Sequence, residues 1–256
     1  MSCGLASLLV LAGAPALAAA DATEVEGIVV TGQRPEGSGY LIESSHSAMK
    51  TETRLIDVPQ SVTVISASQL NDQGVRSLGD AVRYTPGVFV AQGEGNRETL
   101  VFRGNPTTGD FFVDGMRDDI QTYRDIYNVD SLEIYKGPNA MVFGRGGIGG
   151  VANRLIKTAG WTDIRELKVQ VGDHEGRRAS LDLAHGLNSL LALRLNAVTE
   201  TSESYRQGVN LKRWGINPTA SLRLGPDHLV QAGYEHFEDE RVADRGIPSR
   251  YQGSRS

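Results

Sequence analysis

Cysteine is almost absent. Cys3 is the one cysteine in 256 residues, which excludes an internal disulfide framework and any zinc site built from several cysteines. Basic excess is absent too: 26 Lys and Arg stand against 31 Asp and Glu, a net charge of −5 with a pI near 5.6. With no local Lys/Arg block, that excludes a generally basic nucleic-acid binder. At 39% hydrophobic and 22% charged, the chain is too polar for a helical membrane protein and too apolar for a disordered one. Catalytic constellations are missing as well. His46, His174, His185, His228 and His236 are scattered, with no helical ligand spacing such as H-E-x-x-H. Asp114, Asp118 and Asp119 lack the spacing of a calcium loop, and there is no nucleophile elbow. Neither an enzyme nor a protein-held metal is expected.

Glycine is plentiful. Thirty glycines and nine prolines predict many turns and short strands, against an average glycine content of roughly 7%. Residues 144–149 read G-R-G-G-I-G and match the dinucleotide fingerprint. The context that motif needs is missing, because Gly137-Pro138 breaks the approach and Ala159-Gly160 ends the following run too early for a helix. The expected role is a tight backbone crossing where side chains do not fit.

Residues 1–20 hold an apolar run from Leu5 to Leu17 followed by small residues. They are expected to be a secretory signal peptide cleaved near Ala18 or Ala20, although no Lys or Arg precedes the apolar core. Residues 21–53 are mostly polar, and a flexible segment is expected. It holds one β-prone island, Glu26, Gly27, Ile28, Val29, Val30, Thr31 and Gly32. Such an island can add to another protein's sheet edge or form a minor edge strand of its own fold.

Residues 54–158 predict a compact α+β domain. Strands are expected at Val62–Ile65, Leu100–Arg103, Phe111–Val113 and Leu132–Tyr135. A short helix should open at Ser77, with Asp80 completing a capping box, and stop at Thr85-Pro86-Gly87. Asp114-Gly115 is a hairpin signal. Arg103, Lys136 and Arg145 sit in glycine-rich turns beside apolar runs. Solvated cations and partners of a facing carboxylate both remain open for them.

From Arg165 the texture changes to period two. Apolar residues alternate with polar ones in five runs: Leu167–Val171, Ala179–Leu183, Leu191–Ala197, Trp214–Leu224 and Val230–Tyr234. Each approaches the ~10 residues of a membrane-spanning β-strand. Pro218 is awkward there, since it cannot donate to a ladder. Short connections at Gly186–Ser189 and Gly225–Asp227 alternate with a longer one from Glu200 to Leu211, and a polar tail begins at Glu238. A transmembrane barrel and a soluble antiparallel sandwich both fit this alternation.

Several ordered stretches together resemble the TonB-dependent outer-membrane siderophore receptors, with the catecholate type favoured. They are Asp57–Ile65, Leu78–Val88 with Thr85-Pro86-Gly87-Val88, Phe102-Arg103-Gly104, Phe112–Gly115, Ser131–Gly146 and Gly149–Asn153. The resemblance implies an α+β plug domain followed by the first strands of a transmembrane antiparallel β-barrel, incomplete in this chain. It implies a TonB box at 26–32, a plug at 54–158, and about five strands of a 22-stranded barrel at 159–256. Plugged transporters of that size need ~220 residues for strands alone, so the chain is expected to be a portion of a receptor, with no room for an extra N-terminal signalling domain.

The implied function is uptake of a ferric siderophore at the outer membrane, driven by TonB with ExbB and ExbD. The siderophore holds the iron, so no cofactor and no protein metal ligand is implied, and the full-length receptor should be a monomer in outer-membrane lipid. Arg103, Lys136 and Arg145 become expected plug–barrel ionic contacts. The outward plug loops, Ala91–Thr99 and Asp118–Tyr127, offer Arg97, Gln121, Tyr123 and Arg124 as expected ligand contacts. A soluble periplasmic plug-like binding module and a nonfunctional truncated receptor are the alternatives.

Overall fold

The computed structural model describes residues 39–45, 47–118, 120–144, 147–225 and 228–246. The expected signal peptide, the island at 26–32 and Arg145 lie outside the described residues. The described chain opens with a two-stranded ribbon, β1 (Ser44–Ser45) and β2 (Thr53–Arg54). Next come β3 (Ser61–Ser66), α1 (Ala67–Asp72) and α2 (Leu78–Ala81). The Ser77 hydroxyl caps α2, accepting the Asp80 N–H at 3.1 Å, while it donates to the Asp80 carboxylate at 2.9 Å. This is the expected cap, except that the carboxylate takes the Ser77 hydroxyl rather than its N–H. A 3₁₀ turn over Val82–Tyr84 follows, and Thr85 leaves it in extended conformation.

The chain continues through β4 (Val88–Ala91), β5 (Thr99–Phe102), β6 (Asn105–Thr107), β7 (Phe111–Val113), β8 (Met116–Arg117), β9 (Val129–Lys136), α3 (Ala140–Phe143) and β10 (Gly150–Ile156). Asp114 and Gly115, both at positive φ, make the tight β7–β8 hairpin. A five-stranded sheet runs β3-β9-β10-β7-β8, with β10 and β7 parallel, and β4-β5-β6 form a second, antiparallel sheet. Strand β10 is central, although its sequence carries no period-two signal, because it is buried on both faces. At its start a Cβ on Gly150 would lie 2.4 Å from both the Phe102 ring and the Tyr135 carbonyl. A Cβ on Gly149, the last glycine of the 144–149 motif, would lie 2.9 Å from the Asn105 Cβ and the Phe102 carbonyl, so this glycine too serves close packing.

Alternation along β9 divides the core. Leu132 and Ile134 face a cluster with Leu78, Val82, Leu100, Phe102 and Phe111. Tyr135 faces the other side with Ala48, Phe112, Phe143 and Val151. Glu133, also on that side, is buried, accepting from the Ser45 hydroxyl at 2.6 Å, the Tyr135 hydroxyl at 2.8 Å and the Asn153 amide at 3.0 Å.

Beyond this α+β body, β11 (Ile164–Val171), β12 (Arg177–Gly186), β13 (Leu191–Glu203), β14 (Asn210–Arg223), β15 (Leu229–Gly233) and β16 (His236–Arg241) make one antiparallel sheet. Its polarity is inverted relative to a soluble sheet. Arg178, Asp182, Asn196, Glu200, Arg213, Asn217 and Ser221 are buried, while Leu167, Val169, Leu183, Leu193, Leu195 and Ile216 are exposed. Polar inside and apolar outside is the signature of a transmembrane barrel wall. No helix among the described residues is long and apolar enough to cross a membrane. The sheet does not close on itself among the described residues.

Two expectations about this sheet need correcting. The loop expected from Glu200 to Leu211 spans only 204–209, because β13 runs to Glu203 and β14 begins at Asn210. The expected polar tail from Glu238 is strand through Arg241. In both places the outward face turns polar, so an apolar alternation cannot mark the strand. β15 and β16 are one strand in a single register, Thr219 opposite Gly233 and Ile216 opposite His236, so the described sheet has the five strands expected. The gap between them lies opposite Pro218. Its carbonyl accepts the Tyr234 N–H at 3.0 Å, so its nitrogen points to the same side and leaves the ladder without a donor there.

Candidate functional site

The body and the long sheet meet through charge. Asp125 projects from the loop before β9 and is 3% exposed. Arg178 on β12 donates to it at 2.7 Å, and Arg213 on β14 lies 3.2 Å away. Between those strands Glu200 on β13 takes Arg178 at 2.5 Å and Arg213 at 2.6 Å, and Arg76 of the body reaches it at 3.3 Å. Arg178, Glu200, Arg213 and Asp239 form one cross-strand row, so charges of opposite sign alternate along the hydrogen-bonding direction. Burial pushes the Asp125 carboxyl up, but the Arg178 hydrogen bond and the charges of Arg213 and Arg178 outweigh it and hold the carboxyl below its ordinary range. A second junction lies toward the other end, where Lys157 and Arg194 converge on Asp182 at 2.9 and 2.8 Å. Between the two, a Cβ on Gly215 would sit 3.0 Å from the Tyr127 hydroxyl; the missing side chain admits a ring of the body to the sheet.

At the far end, away from where the chain leaves the body, a cleft of about 200 Å³ opens between the two parts. Gln92, Gly95 and Tyr123 line it from the body, and Ser202, Asn210 and Arg241 line it from the sheet and its loops. The Arg241 guanidinium lies 3.7 Å from the centre of the Tyr123 ring and pairs with Asp239. Asp244 ties the rim together, its carbonyl accepting from Gln92 and its carboxylate from Arg206, both at 2.6 Å.

The expected ligand contacts fall unevenly around this cleft. Tyr123 lines it. Arg97 donates to Gln121, joining the two expected outward loops, and neither residue is among the cleft's lining. Arg124 is a correction. Its side chain is 2% exposed, bonds Asp118 at 2.7 Å and lies 4.2 Å from the centre of the Phe111 ring. Further bonds run to the carbonyls of Thr122 and Ile120. Its donors are spent holding the 118–124 loop closed, so it is not a surface contact. The same loop is fixed by Glu98, 2% exposed, which accepts the N–H groups of Gly79 at 3.0 Å and Arg124 at 3.2 Å. Burial pushes the Glu98 carboxyl up to about 7, with Arg124 and Arg154 only partly offsetting it.

The expected ionic contacts fare differently. Lys136 donates to Thr63 at 3.2 Å inside its own sheet. Arg103 makes no ion pair among the described residues. The seam is built instead by Asp125, Arg76 and Lys157 against the sheet. The polar faces of the alternating runs carried half of that signal; which carboxylate of the body meets them depends on how the loop before β9 folds.

An α+β body seated by ion pairs against a sheet of barrel-wall polarity is the arrangement of a plug domain against part of an outer-membrane-type β-barrel wall. Residues 54–151 match the TonB-dependent Receptor Plug Domain family. The probable TonB-dependent receptor BfrD of Bordetella pertussis is 34% identical over 238 residues, covering 91% of this chain and 32% of that protein. The catecholate siderophore receptor Fiu of Escherichia coli K12 is 31% identical over 243 residues, covering 92% of this chain and 32% of Fiu. The closed-form crystal structure of that ferric-catecholate import receptor superposes with a TM-score of 0.76 at 28% identity, covering 82% of this chain and 30% of that one. The chain belongs to the TonB-dependent receptor family, combining a plug with part of a barrel wall. It spans about a third of the length of the curated relatives it matches.

Proposed function

We propose that this chain is the plug and first wall of an outer-membrane receptor that imports ferric siderophores, with the catecholate type favoured. The observation that carries the reading is the cleft at the far end, walled on one side by plug loops and on the other by a sheet with apolar residues outward and polar residues inward. A ligand entering from outside would meet Tyr123 first, with Arg97 and Gln121 on the adjoining loops. The siderophore coordinates the iron, so the protein supplies shape, stacking and hydrogen bonds rather than metal ligands, and no catalysis. Likeness to a receptor whose name is catecholate siderophore receptor supports the ligand class.

Energy would come from TonB, with ExbB and ExbD, through Glu26–Gly32. That segment's β-branched residues suit strand addition to a partner's sheet edge. The full-length receptor would be a monomer in outer-membrane lipid, reached through a signal peptide cleaved after residues 1–20. On this reading Arg103, Lys136 and Arg145 would pair with wall strands beyond those described. The test is Val29→Pro in a full-length receptor carrying this chain. Proline removes a ladder donor, so uptake of ferric siderophore should be lost while its binding is spared. Normal uptake by that variant would refute the coupling assignment.

A further inference from the structure

Four arginines at the cleft end are already committed. Arg97 is shared by Glu94 and Gln121, Arg124 is buried on Asp118, and Arg206 is held by Asp244. Arg241 is held by Asp239 through two of its nitrogens. At these four positions the charge is already balanced, so none of them offers a ligand a free cation. What this end offers is a flat surface. The Arg241 guanidinium is stacked 3.7 Å from the centre of the Tyr123 ring, its plane is fixed by Asp239, and both residues line the cleft. The two come from different parts of the molecule, Tyr123 from the plug and Arg241 from β16, so the pair exists only when plug and wall are assembled. Arginine is suited to this role by its planar, delocalised charge; a lysine ammonium has no plane to offer.

We propose that Arg241, stacked on Tyr123 and held by Asp239, is a specificity-determining residue that selects siderophores carrying aryl iron-binding groups over aliphatic ones. This rests on the functional reading above and deepens it. An aryl ring entering the cleft adds to an existing stack, whose ordering cost is already met in the empty protein. An aliphatic hydroxamate has no π-face with which to use it.

The experiment measures binding of two probes, the ferric tris-catechol complex and a linear ferric trihydroxamate, to a full-length receptor carrying this chain. Arg241→Ala should weaken the catechol complex by about tenfold, the scale of one desolvated cation–π contact, and leave the hydroxamate unchanged. Arg241→Lys keeps the charge but not the plane, and should show the same selective loss. Tyr123→Phe keeps the ring and should stay within about twofold of the unsubstituted receptor. Unchanged catechol affinity in Arg241→Ala would overturn the proposal, and so would equal loss for both probes, which marks a residue that merely holds the fold. An unsubstituted receptor that binds neither probe would remove the functional reading and the proposal with it, an outcome distinct from the other two.

Discussion

The plug and the wall solve opposite packing problems with the same residue types. In the plug, Leu100, Phe102, Phe111, Leu132 and Ile134 are almost wholly buried, and the driving force is removal of apolar surface from water. In the wall, Leu167 and Val169 are about 70% exposed, while Asn196 and Ser221 are completely buried. Leucine on a strand therefore says nothing about inside or outside until the solvent beyond the sheet is known. Where the two regions meet, neither rule applies. The seam is a set of buried ion pairs, whose desolvation cost is offset only because each charge has several close partners.

The sharpest way to break this comparison is at the seam. Asp125→Ala leaves Arg178 and Arg213 sharing Glu200 alone, and removing one partner of a buried pair typically costs about 3–5 kcal/mol. The variant receptor should lose that much stability in denaturant titrations, with the plug becoming sensitive to protease before the wall does. An unchanged titration would mean that the plug is seated by something other than these charges.

The outward face comes next. Leu195→Arg places a charge near the middle of β13 on the apolar side and should cost about 2–4 kcal/mol of refolding stability in bilayer vesicles. If the wall faced water, as a soluble module requires, the same change would lie within about 0.5 kcal/mol of neutral.

The mildest test concerns the buried Glu98. Its carboxyl rises from 4.5 to about 7 on folding, so the folded plug binds more protons than the unfolded chain between those values. Stability should therefore fall as pH rises from about 4.5 to 7, by at most about 1.4 kcal/mol per unit. The trend is opposite to that expected of Asp125 and Asp118, whose lowered carboxyls lose stability only in more acid solution. Glu98→Gln should flatten the profile between pH 4.5 and 7. A profile that keeps its slope in that variant would assign the titration elsewhere.

Much of this was legible in the residues. The Ser77 cap, the Asp114-Gly115 hairpin and the strands around Phe111 and Leu132 are local signals, set by which backbone angles and hydrogen bonds a short stretch can adopt. The wall strands were legible for as long as their outward residues stayed apolar, and illegible past Glu200 and Glu238, where both faces are polar. Arg124 misled because a charged, loop-borne residue beside a tyrosine looks exposed; only the fold shows Asp118 and Phe111 closing around it.

The sequence by itself determined the class of protein and which side of the wall strands is apolar along their alternating runs, since these follow from composition, motif order and a period of two. Tertiary structure alone decided that Asp125 meets Arg178 and Arg213, that Arg241 lies on Tyr123, and that Gly215 leaves room for Tyr127. Those partners are separated by about fifty to more than a hundred positions along the chain. Charge and ring contacts act over a few ångströms, so nothing local in the sequence could pair them before the sheet register and the seating of the plug were fixed.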